Sequence, residues 1–273
     1  MIKGVDISNL NGNVNMNILK NAGYQFVFIR ATEGTSGAGS RDEKYHTNIA
    51  NAKKAGLLTG AYHFSHSCTK AKELTEIANF LDFIKGTNPD IVILDAENSC
   101  TGDMTDLCID FLDKASAVAQ PLFYANPSWI KAHLNSKITK FPLWVANYGV
   151  SKPSFTLWPY FTAWQHTDKG QISGISGYVD LNYMDDNFFS VVKNKTTNVA
   201  PKVTSAIKKY DTSIPEGDNI FRVPGTKAYI EQTTDGRIAI HLDRGNYVAI
   251  GQGFIDAYWN DNKGKSGHKR LSN

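Results

Sequence analysis

Along the first 130 residues, short apolar runs alternate with longer stretches in which apolar residues recur every third or fourth position. The short runs, Lys3–Ser8, Phe26–Gly34, Leu57–Ser65, Asp90–Asn98 and Leu122–Asn126, read as buried strands because neither face is consistently polar. Between them, Leu74, Ile77, Ala78, Leu81 and Ile84 trace one helical face, and Met104, Leu107, Cys108, Phe111, Leu112, Ala115 and Val118 trace another. Gly56 and Gly86 follow helices where a left-handed cap is wanted. Repeated strand-helix-strand units imply parallel strands, either in a doubly wound sheet or in a closed barrel, and periodicity does not separate the two.

Beyond residue 130 the helices shrink, and Phe141–Tyr148, Phe161–Thr167 and Gly177–Met184 read as three more strands. They bring the total to eight, the number that closes a β/α barrel. The segment 193–202 is polar, aperiodic and contains Pro201, as linkers do. After it, Lys227–Gln232, Arg237–Leu242 and Tyr247–Ile250 read as short strands, with turn signals at Asp235-Gly236 and Arg244-Gly245-Asn246. The expected organisation is an α/β catalytic-type barrel over 1–192, a linker over 193–202, and a small domain over 203–273. That domain is mainly β, or α+β if Val203–Tyr210 is helical.

Charge divides along the same line. Residues 1–192 carry 16 Lys and Arg against 18 Asp and Glu, net −2, whereas residues 193–273 carry 13 against 8, net +5. A basic tail fits an anionic polymer such as a wall glycopolymer or nucleic acid, although an ordinary solvated surface can carry the same charge. No apolar run approaches the ~18 residues of a membrane span, and the first residues lack the charged and long apolar segments of a secretory leader. We therefore expect synthesis in the cytoplasm and no membrane insertion. Three cysteines, Cys68, Cys100 and Cys108, are too few and odd in number for a dense disulfide framework, which points to a reducing site of synthesis.

In barrel enzymes the chemistry sits at the carboxyl ends of the strands. Here those ends carry Asp6, Glu33, Tyr62 and His63, Asp95 and Glu97, Tyr124, then Trp144, Asn147 and Tyr148, Gln165 and His166, and Asp180 and Asn182. The sharpest signal is Ile91-Val92-Ile93-Leu94-Asp95-Ala96-Glu97. Residues two apart on a strand share a face, ~6–7 Å apart, so both acids would meet one ligand. Mutual repulsion would leave one carboxyl protonated and the other charged, the division of labour that glycoside hydrolysis needs. A metal site or a salt-bridged strand end would use the same pair. Asp6 and Asp180 alone would read as caps or turn residues, but in a closed barrel strands one and eight are neighbours and four carboxylates share one mouth. Tyr62, Tyr124 and Trp144 are the aromatics best placed to stack on sugars, and Phe64 and Trp164 default to core. His63-Phe64-Ser65-His66-Ser67-Cys68 has metal-ligating residue types without a second pair at zinc spacing, so we expect no metal and no cofactor.

These residues resemble the glycoside hydrolase family 25 muramidases, which include many phage endolysins. The resemblance spans 3–185 and rests on Gly4-Val5-Asp6-Ile7-Ser8, Ala31-Thr32-Glu33-Gly34, Gly60-Ala61-Tyr62-His63-Phe64, Leu94-Asp95-Ala96-Glu97, Leu143-Trp144-Val145-Ala146-Asn147-Tyr148, Trp164-Gln165-His166 and Val179-Asp180-Leu181-Asn182. It implies a barrel with reduced helices after strand five and cleavage between N-acetylmuramic acid and N-acetylglucosamine in peptidoglycan, leading to host lysis. It further implies Glu97 as general acid, Asp95 as the carboxylate that orients the acetamido group or stabilises developing charge, and Asp6 and Asp180 as supporting acids. Glu33, Tyr62, Tyr124, Trp144, Asn147, Tyr148 and Gln165 would line the substrate cleft. Arg30 stands where many members have Lys, which preserves the charge.

The tail matches no wall-binding repeat, and its expected role in binding the wall, and in pairing with itself, comes from the architecture of such enzymes. The competing readings are a chitinase-like hydrolase, which lacks here the usual run of alternating acids before the final Glu, and a catalytically silent sugar-binding protein. Retention of all four acids argues against the latter.

Overall fold

In the computed structural model, residues 1–35, 37 and 40–197 are described, together with four strands at 219–222, 228–232, 238–242 and 246–249. Eight strands close a barrel in chain order: β1 (Ile2–Ile7), β2 (Phe26–Glu33), β3 (Leu58–Phe64), β4 (Ile91–Asp95), β5 (Gln120–Ala125), β6 (Leu143–Ala146), β7 (Ala163–Gly170) and β8 (Val179–Met184). The helices are α1 (Met16–Asn21), α2 (Tyr45–Lys54), α3 (Lys70–Ile84), α4 (Thr105–Ala115), α5 (Pro127–His133) and α6 (Asp186–Thr197). Between β6 and β8 there is no helix among the described residues, so the expected thinning after strand five is present.

One expectation fails. Strands one to seven run parallel, but β8 is antiparallel to both β7 and β1. The connection between β7 and β8 covers only 171–178, too short for the dozen or more residues that a parallel crossover requires, so the chain turns back as a hairpin. The reversal places the amino end of β8 at the mouth formed by the carboxyl ends of the others. Asp180 therefore reaches that mouth as the second residue of its strand, paired with Asp6.

Strand alternation sorts the core into two layers. Phe26, Phe28, Leu58, Ile91, Ile93, Leu122, Trp144 and Ala163 point inward and fill the barrel. Val27, Ile29, Ala61, Val92, Leu94, Phe123 and Val145 point outward against the helices. The interior accepts two neighbouring phenylalanines, their rings tilted at 46°, because glycines face them. A Cβ on Gly4 would lie 2.3 Å from the Phe26 ring, and one on Gly60 would lie 2.5 Å from Phe28, so neither position tolerates a side chain.

Helix α3 is rotated from the expected face. Ile77 and Ile84 are buried as expected, but Leu74 and Ala78 are exposed, and Glu73, Glu76 and Phe80 are buried in their stead. Glu76 turns inward because buried His63 on β3 needs a partner, a requirement that apolar periodicity does not register. Thr69 caps this helix through Lys72 N, and Asn126 caps α5, which opens on Pro127.

Residues Lys193–Thr197, read as the start of a linker, continue α6, which is anchored by buried Phe189 and Val192. The chain separates into compact units between Val199 and Ala200. The second unit contains a four-stranded antiparallel sheet, β9 (Asn219–Arg222), β10 (Ala228–Gln232), β11 (Ile238–Leu242) and β12 (Asn246–Ala249), in the order β12-β11-β10-β9. β9 was not expected from the sequence, and the Val203–Tyr210 stretch lies outside the described residues. No helix among the described residues is long and apolar enough to cross a membrane.

Candidate active site

The inward alternation of the interior layer continues to the mouth and changes there from apolar to polar. On β2, Phe26 and Phe28 lead to Arg30; on β3, Leu58 and Gly60 lead to Tyr62; on β4, Ile91 and Ile93 lead to Asp95; on β5, Leu122 leads to Tyr124. Asp6, Gln165 and Asn182 occupy the same inward level on β1, β7 and β8. A single layer of side chains thus forms the floor of the mouth.

At its centre lies Asp6, buried at 5% exposure. Its Oδ2 accepts from Gln165 Nε2 at 3.0 Å and from Asn182 Nδ2 at 2.7 Å. Each of those amides is itself oriented. Gln165 Oε1 accepts from the Tyr124 hydroxyl at 2.7 Å and the Tyr148 hydroxyl at 2.6 Å, and Asn182 Oδ1 accepts from Trp144 Nε1 at 2.9 Å. Because both amide oxygens are taken by donors, both NH2 groups must face Asp6, which fixes it as an acceptor.

The four acids press on one another. Asp6 is raised by burial, against the lowering effect of its amide and Asp180 hydrogen bonds. Asp180 is pushed up to about 8, by burial first and then by the Asp6 charge and the hydrogen bond between them. The two amide donors keep Asp6 an acceptor, so a proton shared between these carboxyls belongs to Asp180. Asp95 is raised well above the carboxylate range by burial and by the charges of Glu97 and Asp6, with only Arg30 among its principal neighbours opposing. Its Oδ1 is buried without a hydrogen-bond partner among the described residues. Glu97 is raised by partial desolvation and by Asp180. It lies exposed, two residues beyond the end of β4, so the pair does not share a strand face as the spacing predicts.

At the rim, Arg30 donates to Glu33 Oε2 at 2.9 Å and to Asn9 Oδ1 at 2.7 Å, and His66 Nε2 lies 3.2 Å from Glu33 Oε1. Tyr148, 43% exposed, lies over Gln165. Three expectations change. Tyr124 and Trp144, expected as stacking surfaces, are 3% and 2% exposed; their rings pack on each other, with centroids 4.3 Å apart, and Trp144 also meets Phe28. Asn147 turns to the β6–β7 connection, where its Oδ1 accepts from Ser154 N and Oγ. Two members of the floor, Arg30 and Asn182, are noted in the sequence but given no catalytic or substrate role there, although the period-two count from Phe28 and from Asp180 reaches both.

The family model for Glycosyl hydrolases family 25 matches residues 5–175. The chain belongs to this family. Its sequence is 31% identical to Lysozyme M1 of Streptomyces globisporus over 66% of this chain and 67% of that protein. It is 32% identical to the autolytic lysozyme of Clostridium acetobutylicum, over 66% of this chain and 55% of that protein. Among solved structures, the CTP1L endolysin, whose activity is described as regulated by a secondary translation product, superposes with a TM-score of 0.68 at 49% identity, covering 71% of this chain and 70% of that one. The family match covers the floor from Asp6 to Gln165 and leaves out Asp180 and Asn182 on β8.

Proposed function

We propose that this family 25 hydrolase is an endolysin-type muramidase that cuts the β-1,4 bond between N-acetylmuramic acid and N-acetylglucosamine in peptidoglycan. The observation that carries the reading is the gathering of four carboxyls, Asp6, Asp95, Glu97 and Asp180, at the mouth of a closed barrel, where burial and mutual charge raise each of them toward the range of a proton donor. Glu97, exposed and raised, donates its proton to the leaving glycosidic oxygen. Asp95, held beneath it with one oxygen unsatisfied, takes up the partial positive charge or the acetamido N–H that the substrate brings. Asp6 and its amide network stay fixed, and Asp180 holds the neighbouring proton.

Substrate contacts fall on the accessible rim: Tyr148, Glu33 and the edge of Tyr62. Tyr124, Trp144 and Gln165 act from behind by fixing the floor. Digestion of purified walls followed by mass spectrometry of the released fragments tests the reading. New reducing ends on muramic acid are expected; reducing ends on glucosamine, or none, would overturn it.

The second unit has a separate role in this reading. The +5 charge of residues 193–273 against −2 in the remainder supports attachment to an anionic wall polymer, and its small size supports burial by self-pairing. A catalytically inert full-length chain and one ending at Val199 are compared for sedimentation with walls at rising salt, beside light scattering of each. Retention of the longer chain alone is expected, and equal retention of the two would sink the targeting role.

A further inference from the structure

Glu97 stands on the connection between β4 and α4, outside the sheet, so strand pairing does not fix it. Besides the Ala96 N–H, which donates to the Tyr124 carbonyl at 3.0 Å, and the Met104 N–H, which donates to the His133 carbonyl at 2.8 Å, three links hold the stretch that follows Glu97. Asn98 Nδ2 donates to the His66 carbonyl at 2.9 Å, and Trp129 Nε1 on α5 donates to the Asn98 carbonyl at 2.9 Å. The third is covalent: Cys100 is bonded to Cys68, joining the β3–α3 connection to the β4–α4 connection across a sequence separation of 32. The sequence did not foretell this pair, since three cysteines leave the partners open. Beneath the connection, a cavity of about 20 Å³ is lined by Ala96, Asn98, Cys100, Cys108, Met104 and Trp129. The underside leaves room for about one water, and the covalent link is among the contacts that fix the connection carrying Glu97. The remaining cysteine, Cys108, is buried, and burial pushes its thiol well up, which makes it a poor partner for exchange with the bridge.

We propose that the Cys68–Cys100 bridge is a positioning element for Glu97, and that its reduction slows glycosidic cleavage while leaving the barrel folded. The hydrolase is then weak where small thiols keep it reduced and at full strength in an oxidising exterior. This rests on Glu97 being the proton donor. The switch balances simply. A small dithiol such as dithiothreitol gives up two electrons and two protons and closes to its cyclic disulfide, while the sulfur–sulfur bond breaks and Cys68 and Cys100 each gain a hydrogen. In reverse, oxidised glutathione accepts the two electrons and the two protons and leaves as two glutathione thiols.

The full chain is assayed on purified peptidoglycan before and after dithiothreitol, with thiols counted in denaturant. One free thiol is expected for the bridged chain and three for the reduced chain. Reduction is expected to lower kcat about tenfold or more with KM within about twofold, since a displaced catalytic group costs rate before binding. The alkaline limb of the pH–rate profile should shift with it, and oxidised glutathione should restore both. The double variant Cys68→Ser, Cys100→Ser should match the reduced chain in either buffer. An unchanged kcat with three free thiols overturns the proposal, and so does a loss accompanied by collapse of the near-ultraviolet circular dichroism, which would make the bridge merely structural. A bridged chain that releases no reducing muramic acid would instead defeat the functional reading on which this one rests.

Discussion

Two polar clusters lie on opposite sides of the barrel wall, and they are built to opposite standards. On the outer side, His63 has no exposure; its Nδ1 lies 2.8 Å from Thr32 Oγ1 and its Nε2 lies 2.9 Å from Glu76 Oε2. Glu76 also accepts from Ser65 Oγ at 2.8 Å and from the His66 amide. Burial lowers the His63 pKa and keeps the ring neutral, so Nε2–H donates to Glu76 and Nδ1 accepts from Thr32. On the inner side, Asp6, Asp95, Glu97 and Asp180 crowd together, all raised, and one Asp95 oxygen is orphaned. A satisfied cluster holds elements together, whereas a frustrated one spends stability on chemistry. The comparison makes opposite predictions for the two sides.

The largest effect should come from the inner side. Glu97→Gln keeps the shape but cannot donate a proton, so kcat is expected to fall by ~10²–10⁴ with the fold intact, as read by release of reducing ends and by circular dichroism. Asp95→Asn should be similarly severe in rate yet leave the melting temperature unchanged or higher, because the buried carboxyl it replaces has one unpartnered oxygen and crowds against neighbouring acids. A sharp drop in melting temperature for Asp95→Asn would mean that the inner cluster is structural after all.

That contrast was only half legible in the sequence. The inner cluster showed because Asp95 ends an uninterrupted apolar run and because period-two counting carries each strand to one level at the mouth. The direction of β8 did not show, since reversal follows from the length of the β7–β8 connection and not from the strand itself. The outer cluster did not show either. Glu76 lies among exposed-type residues of α3, and its burial depends on a histidine 13 positions earlier in the chain. Trp144 and Tyr124 were read as sugar platforms because composition does not separate an aromatic at the mouth from one a layer below it. The Cys68–Cys100 pair joins two connections whose proximity exists only once the barrel closes.

On the outer side the expected loss is of stability. Glu76→Ala strips partners from His63, Ser65 and the His66 amide, and is expected to cost about 3 kcal/mol. For a barrel of this size that is a fall of roughly 5–10 °C in melting temperature. Below the transition kcat should fall far less than for Glu97→Gln, because Glu76 reaches the cleft only indirectly, through the His66 amide. A loss of kcat to the Glu97→Gln level at full folding would break the division between the two clusters.

A smaller effect is expected from pH. Asp180, pushed up to about 8, and Glu73, raised to about 7 by burial despite Lys70 beside it, keep protons in the folded chain that the unfolded chain releases near 4. The native state binds more protons through that interval, so stability falls as pH rises from about 4 to about 8. Melting temperature across this range should slope downward, and Asp180→Asn together with Glu73→Gln should flatten the slope. A rise toward pH 8 in the unaltered chain would contradict the assignment of the proton to Asp180.

The smallest expected effect is none, and it concerns the run from His63 to Cys68 that first looked metal-binding. Each ligand-type side chain there is engaged elsewhere: both nitrogens of His63 in the outer cluster, His66 with Glu33 at the rim, Cys68 with Cys100. Freeing any of them would cost hydrogen bonds or a covalent bond that a metal would have to replace. On the inner side burial and mutual charge raise the carboxyls and favour their protonated forms, and a cation would compete with those protons and weaken the donor that the reaction needs. Exhaustive dialysis against a chelator should therefore leave the rate of wall hydrolysis and the melting temperature within error of the untreated chain. Loss of activity restored by one added metal would mean that the inner acids hold an ion, and the proton-donor reading of Glu97 would have to be rebuilt around it.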